Sequence, residues 1–368
     1  MGAGDEARRL MSGAAVRIPA DFEPHARAVM AWAVHREWGS ERERVERELD
    51  TVIRTIAADE PVMLLTPLDL VGAARIRFAT AEVEIVPAPV DDVWMRDIAL
   101  VFAHRGAETV AIDLNFNGWD GSRPARPGDR LARTFDFGMP VIGVPFVGEG
   151  GAFLPDGRGL AVATRSCLLS RNPHLAEDQI STALGSLGIR AAIWLDGDRD
   201  EPITSGHPDG CLAFAPDGTL LVEPIPRGRG RRRRERDIAI LERAVADGRI
   251  PALRRFAPPD TGALAGEPSG FAATYLNFYV TRRSVITAGF GAPAGDEDAR
   301  SELAALFPGR EIRMLRINAV LRGGGGIRCL AQPVPRSART GSGNRSAPKT
   351  RCQATSSIST QWQSNSSH

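Results

Sequence analysis

Short β-rich runs alternate with single amphipathic helices along most of this chain, and that alternation points to the α/β class. Residues 62–65 and 83–86 are β-rich, 159–164 read as a strand after the Asp156-Gly157 turn, and 285–288 read as another. Residues 41–58 carry Val45, Leu49, Val52, Ile53 and Ile56 on one stripe, the spacing of a helix with one buried face. Further helices are expected over 179–187, stopped by Gly188, over 238–247, and over 296–306, where acidic residues in the first turn suit the helix dipole. Residues 212–223 read as a hairpin around Pro216-Asp217-Gly218. Elements in this order imply a repeated α/β module, although no repeat shows at the level of residue identity. A length of 368 residues suits two domains or one large α/β or propeller-like unit.

Apolar residues at 43% and charged residues at 25% are enough for a buried core. A formal net charge of +1 gives no global pull toward nucleic acid or membrane. The cysteines Cys167, Cys211, Cys329 and Cys352 are scattered without a CxxC pair, which argues against a disulfide framework or zinc knuckle and fits a reducing compartment. Residues 1–19 lack the apolar core of a signal peptide, and no apolar run approaches the ~18 residues that cross a bilayer. A soluble cytoplasmic protein without membrane partner is expected. Its parts are a loose leader at 1–16, a folded body at 17–336 and a disordered Ser/Thr/Gln/Asn-rich tail at 337–368. Residues 227–236 hold seven arginines and read as a solvated loop leading into a helix at Asp237; nucleic-acid binding would need interleaved aromatics, which are absent.

Four polar clusters fall where the expected strands end: Asp91-Asp92-Val93-Trp94-Met95-Arg96-Asp97, Gly148-Glu149-Gly150-Gly151, Thr204-Ser205-Gly206-His207-Pro208-Asp209-Gly210, and Gly323 to Gly326 followed by Ile327-Arg328-Cys329. Glycines let the backbone approach a ligand closely. In extended chain, His207 and Asp209 would share a face. Taken singly, each group has an ordinary reading: a helix cap or an ion pair with Arg96 for Asp97, turn carboxylates for Glu149 and Asp209, a surface histidine for His207, and a buried small hydrophobe for Cys329.

Taken jointly, one cysteine, one histidine and three carboxylates suit hydrolysis of a guanidinium. That planar cation cannot be deprotonated at ordinary pH, and paired carboxylates accept its N–H fork. Its carbon is a poor electrophile, for which a thiolate is a sensible nucleophile. One histidine can serve as acid for ammonia loss and as base for hydrolysis.

The chain resembles the agmatine deiminase / bacterial peptidylarginine deiminase family. The residues that carry the likeness are Ile18-Pro19-Ala20-Asp21-Phe22-Glu23-Pro24-His25, Trp94-Met95-Arg96-Asp97, Asn115-Phe116-Asn117-Gly118-Trp119, Glu149-Gly150-Gly151, Gly206-His207-Pro208-Asp209, Tyr275-Leu276-Asn277-Phe278-Tyr279, Phe307-Pro308-Gly309-Arg310 and Cys329. The resemblance implies a pentein, an α/β propeller of five pseudo-symmetric modules around a central site, acting on agmatine, or alternatively on free or peptidyl arginine, without cofactor or metal. Carried over by position, it makes Cys329 the nucleophile, His207 the acid/base, Glu149 its partner, and Asp97 and Asp209 the guanidinium ligands. Trp94 either stacks on the cation or packs in the core. The partner implied is a small guanidinium molecule, and a homo-oligomer stays open.

The chain departs from the family pattern at Ser205, at Ala99 and Leu100, at Arg328, and at Ala331 and Pro333. A catalytically weakened binding protein of the same fold is therefore the competing class. If residues 327–331 are extended, Arg328 points away from the face of Ile327, Cys329 and Ala331, and its charge is expected to lower the thiol pKa.

Overall fold

The computed structural model describes residues 14–224, 231–260, 262, 264–268 and 270–336. The apolar stripe of the expected first long helix decides its packing. Val45, Leu49, Val52, Ile53 and Ile56 are all buried along Arg42–Ala57, which lies against the strand Val62–Thr66. Burying such side chains contributes about 1.5–3 kcal/mol each, enough to fix which face turns inward.

The described strands form five sheets, and each contains the same wiring. Two strands pair antiparallel, and a third joins parallel to the second. Phe153–Pro155 and Leu160–Thr164 are antiparallel, and Ala191–Leu195 lies parallel to the latter after the helices Arg165–Arg171 and Glu177–Ser186. Leu212–Phe214 and Leu220–Val222 form the expected hairpin, with Leu253–Arg255 parallel after the helix Arg231–Ala246. Tyr279–Val280, Ser284–Ala288 and Glu311–Leu315 repeat the plan around the helix Pro293–Leu306. Val101–Arg105, Glu108–Asp113 and Val141–Gly143 do so with only short turns in the crossover. The fifth sheet is assembled from both ends of the folded body: Gln332–Pro335 runs antiparallel to His25–Ala31, and Val62–Thr66 and Val83–Pro87 follow in parallel. The expected repeated module is thus present five times.

Two expectations need correction. Val16–Arg17 already pairs with His104 and Arg105, so the leader ends before residue 16; residues 1–13 and the expected tail at 337–368 lie outside the described residues. Within the arginine run, Arg231 to Arg236 are helical rather than a loop, because arginine favours helix and partners are at hand. Arg233 meets Asp198 and Asp200, and Arg236 meets Asp196. No helix among the described residues is long and apolar enough to cross a membrane.

Each module is entered by a loop, and the candidate residues all lie in these loops. Asp97 precedes Val101–Arg105, Glu149 to Gly151 precede Phe153–Pro155, His207 and Asp209 precede Leu212–Phe214, Asn277 precedes Tyr279–Val280, and Cys329 precedes Gln332–Pro335. The repeat therefore delivers one polar segment per module to a common place.

Candidate active site

Those loops converge on a cavity of about 640 Å³, lined among others by Trp94, Asp97, His207, Asp209 and Cys329. Glu149, the sixth sequence-predicted residue, is fully buried behind His207. His207 Nε2 lies 2.6 Å from Glu149 Oε1, while its Nδ1 faces Asp209 Oδ1 at 3.7 Å and Asp97 Oδ2 at 4.0 Å. His207 and Asp209 share a face as expected, though through the tight turn Pro208–Gly210 rather than extended chain. Burial alone pushes the imidazole down, but the carboxylates around it outweigh this and hold its pKa well above the usual 6.5.

Glu149 stays ionised for an equally local reason. Burial would raise its pKa, but the Arg171 guanidinium, 2.7 Å from Oε1, and His207 lower it. Arg171 also donates to Cys167 Sγ at 3.0 Å. Glu149, Cys167 and His207 could each offer a ligand atom to a metal ion, all within 4.8 Å of one another. The set does not fit one, because the buried Arg171 guanidinium already supplies the positive charge there.

Both cavity carboxylates are held from behind. Asp97 sits in the turn Met95–Ile98 and accepts from Gly151 N–H (2.9 Å) and Trp119 Nε1–H (2.9 Å). Trp119 reaches it from a left-handed backbone (φ 56°), a conformation costing a non-glycine residue about 1–3 kcal/mol and characteristic of functional sites. Asp97 has a raised pKa, from burial first and from the neighbouring Glu149 and Asp209. Asp209 Oδ2 accepts from Arg328 Nη1 at 2.6 Å.

Cys329 sits in a helical turn, Ile327–Leu330, not in extended chain, and Arg328 is correspondingly buried on the near side between Asp21 and Asp209. The thiol donates to Asn277 Oδ1 at 3.4 Å. Arg328 does draw the thiol pKa down, but burial and the two aspartates outweigh it, and the pKa is pushed up to about 12. The lowering by Arg328 is in the expected direction but is the smaller effect. The altered position at Ser205 takes a left-handed backbone (φ 59°), held by Ser166 Oγ donating to its carbonyl.

The glycine run serves packing. A Cβ on Gly323 would meet Trp38 at 2.1 Å, and one on Gly325 would meet Trp94 at 2.5 Å. The two indoles, centroids 6.2 Å apart, form an aromatic wall of the cavity under that run. Sequence reasoning missed Trp38, Arg171 and the roles of Asp21, Trp119 and Asn277. The last three stand in family-like motifs, which was the available signal.

A half-buried thiol, an imidazole and two carboxylates, gathered by the entry loops of three of the five like modules, suit a guanidine-modifying enzyme of the pentein fold. The sequence signature of the Porphyromonas-type peptidyl-arginine deiminase family matches residues 17–335, and the chain belongs to that family. It is 32% identical to a Streptomyces coelicolor relative provisionally named an agmatine deiminase, across 87% of this chain and 99% of the relative. It is 28% identical to the agmatine deiminase of Pseudomonas aeruginosa, across 88% and 96%. The fold matches the solved agmatine deiminase of Enterococcus faecalis with a TM-score of 0.80 at 23% identity, across 89% of this chain and 98% of that one.

Proposed function

We propose that the protein hydrolyses agmatine to N-carbamoylputrescine and ammonia through a covalent bond to Cys329. The observation that carries this is the facing of Asp97 and Asp209 toward one imidazole nitrogen in the cavity that Cys329 also lines. A guanidinium accepted between the two carboxylates cancels the charges that hold the thiol protonated, so when substrate is bound the thiol gives its proton to water and thiolate forms. The thiolate attacks the guanidinium carbon, His207 protonates the departing nitrogen, and ammonia leaves an amidino-cysteine. His207 then takes a proton from water, the hydroxide attacks the same carbon, and the C–S bond breaks to release the ureido product. Glu149 keeps His207 oriented and charged.

Agmatine fits because it is a dication, and seven acidic side chains line the cavity against four arginines. Free arginine is the second reading. It rests on Arg234, the lining arginine with no carboxylate in ion-pair range among the described residues; its hydrogen-bond partner is Cys211 Sγ, at 2.6 Å. A colorimetric ureido assay on agmatine, arginine and an arginine peptide decides: agmatine should give the highest kcat/KM, and a preference for arginine would move the reading to Arg234.

Two further outcomes are expected. Alkylation of substrate-free enzyme by iodoacetamide should have its midpoint above pH 9, since burial and the aspartates raise the thiol pKa. A midpoint at or below 8.5, the ordinary thiol value, would refute substrate-assisted ionisation. Gly151→Ala should lower kcat by about 100-fold or more in a folded protein, because the new Cβ would stand 2.4 Å from His207 Nδ1 and 2.8 Å from Asp97 Oδ1. Unchanged kinetics would remove His207 from the mechanism.

A further inference from the structure

Asp21 stands in a sequence motif to which the reaction assigns no work, yet one carboxylate there meets two buried arginines. Its Oδ2 accepts from Arg328 Nε at 2.6 Å and its Oδ1 from Arg96 Nη1 at 3.1 Å. Arg96 adjoins Asp97, and Arg328 adjoins Cys329. Arg96 Nε also reaches the Arg328 carbonyl at 3.4 Å, and Arg328 Nη1 holds Asp209. The two arginine side chains are only 5% and 3% exposed, so water supplies little alternative partnering. Burial would raise the Asp21 pKa, but the two guanidinium groups reverse this and keep the carboxylate charged.

We propose that Asp21 is a positioning residue for substrate binding: it divides the Arg328 guanidinium between itself and Asp209, so that one Asp209 oxygen is left for the substrate. An arginine fork pairs readily with both oxygens of one carboxylate. With Asp21 neutralised, Arg328 keeps Asp209 as its remaining carboxylate and turns onto both of its oxygens. The protein would then bind its own guanidinium where the substrate's belongs. Through Arg96, the same loss loosens the turn that carries Asp97. The effect falls on binding more than on chemistry, because neither arginine touches the reacting carbon.

This rests on the guanidinium-binding role of Asp209, and the test separates the two. Agmatine is titrated calorimetrically into the Cys329→Ser protein, which does not turn it over, and into the same protein carrying Asp21→Asn, Arg328→Lys, or Asp21→Asn with Arg328→Gln. Circular dichroism and melting verify the fold of each. Asp21→Asn should weaken agmatine binding at least 10-fold. Arg328→Lys, which keeps the buried charge but lacks the fork that could take both Asp209 oxygens, should bind agmatine about as tightly as the parent. The double variant should bind no more weakly than Asp21→Asn alone, since the competing guanidinium is gone; a merely structural role gives losses that add. In the active enzyme, Asp21→Asn should raise KM more than it lowers kcat. Parent-like binding by a folded Asp21→Asn protein, or a 10-fold loss in Arg328→Lys, overturns the proposal while leaving the function intact. No binding by the Cys329→Ser parent overturns the function and the proposal with it.

Discussion

Cys329→Ser is expected to abolish deimination while the protein stays folded. A hydroxyl at this position is neither ionised by the pairing of Asp97 and Asp209 with a guanidinium nor soft enough to attack its carbon. Removing one member of a catalytic unit typically costs at least about 1,000-fold in rate. The side chain is only partly buried and donates one long bond to Asn277, so melting should hardly shift. Mass spectrometry of quenched wild-type enzyme should find the amidino adduct on Cys329. More than a few per cent residual activity, or an adduct on Cys167 or Cys211, would end the assignment.

Arg171→Met is expected to give the largest loss of stability among single changes of charge. Both Arg171 and Glu149 are fully buried, and breaking such a pair from one side typically costs about 3–5 kcal/mol, because the remaining charge cannot be hydrated. The exposed pair Arg42 and Glu46, one helical turn apart, supplies the contrast at about 0.3–0.5 kcal/mol. A drop in melting temperature of several degrees for Arg171→Met, beside almost none for Arg42→Met, is the outcome to measure by calorimetry. Equal effects would show that Glu149 shares its charge with water or leans on His207 alone. The sign with pH follows from Glu149, whose pKa is depressed in the folded state. The stabilisation is present above its unfolded value near 4.5 and is lost as pH falls below it, so the two proteins should converge in acid.

What was legible in the sequence was whatever short-range spacing encodes. The stripe from Val45 to Ile56 gave its helix within a residue or two at each end, and the Pro216-Asp217-Gly218 turn gave its hairpin. The polar clusters were legible as clusters because each occupies one entry loop. What stayed hidden depends on partners far along the chain. The helix at Arg231 begins earlier than its apolar pattern because Asp196, Asp198 and Asp200 neutralise its arginines. The turn at Cys329 looks extended in isolation, with alternating Ile327, Cys329 and Ala331; it is helical where Arg328 inserts between Asp21 and Asp209. The lowering of the thiol pKa by Arg328 was legible, since a neighbouring cation is readable in sequence, while the larger opposing effects of burial and two distant carboxylates were not.

The sheet that joins Gln332–Pro335 to His25–Ala31 has a bearing on how activity is born. Pairing between such remote segments closes late in folding, after local helices and hairpins have formed. The turn holding Cys329 immediately precedes the closing strand, and its anchor Asp21 immediately precedes the strand it closes upon. A nascent chain still on the ribosome therefore has its imidazole and both aspartates made before Cys329 can join them in the cavity. Unfinished copies would lack the proposed nucleophile, and the same seam is where a finished copy would lose it first if it loosened.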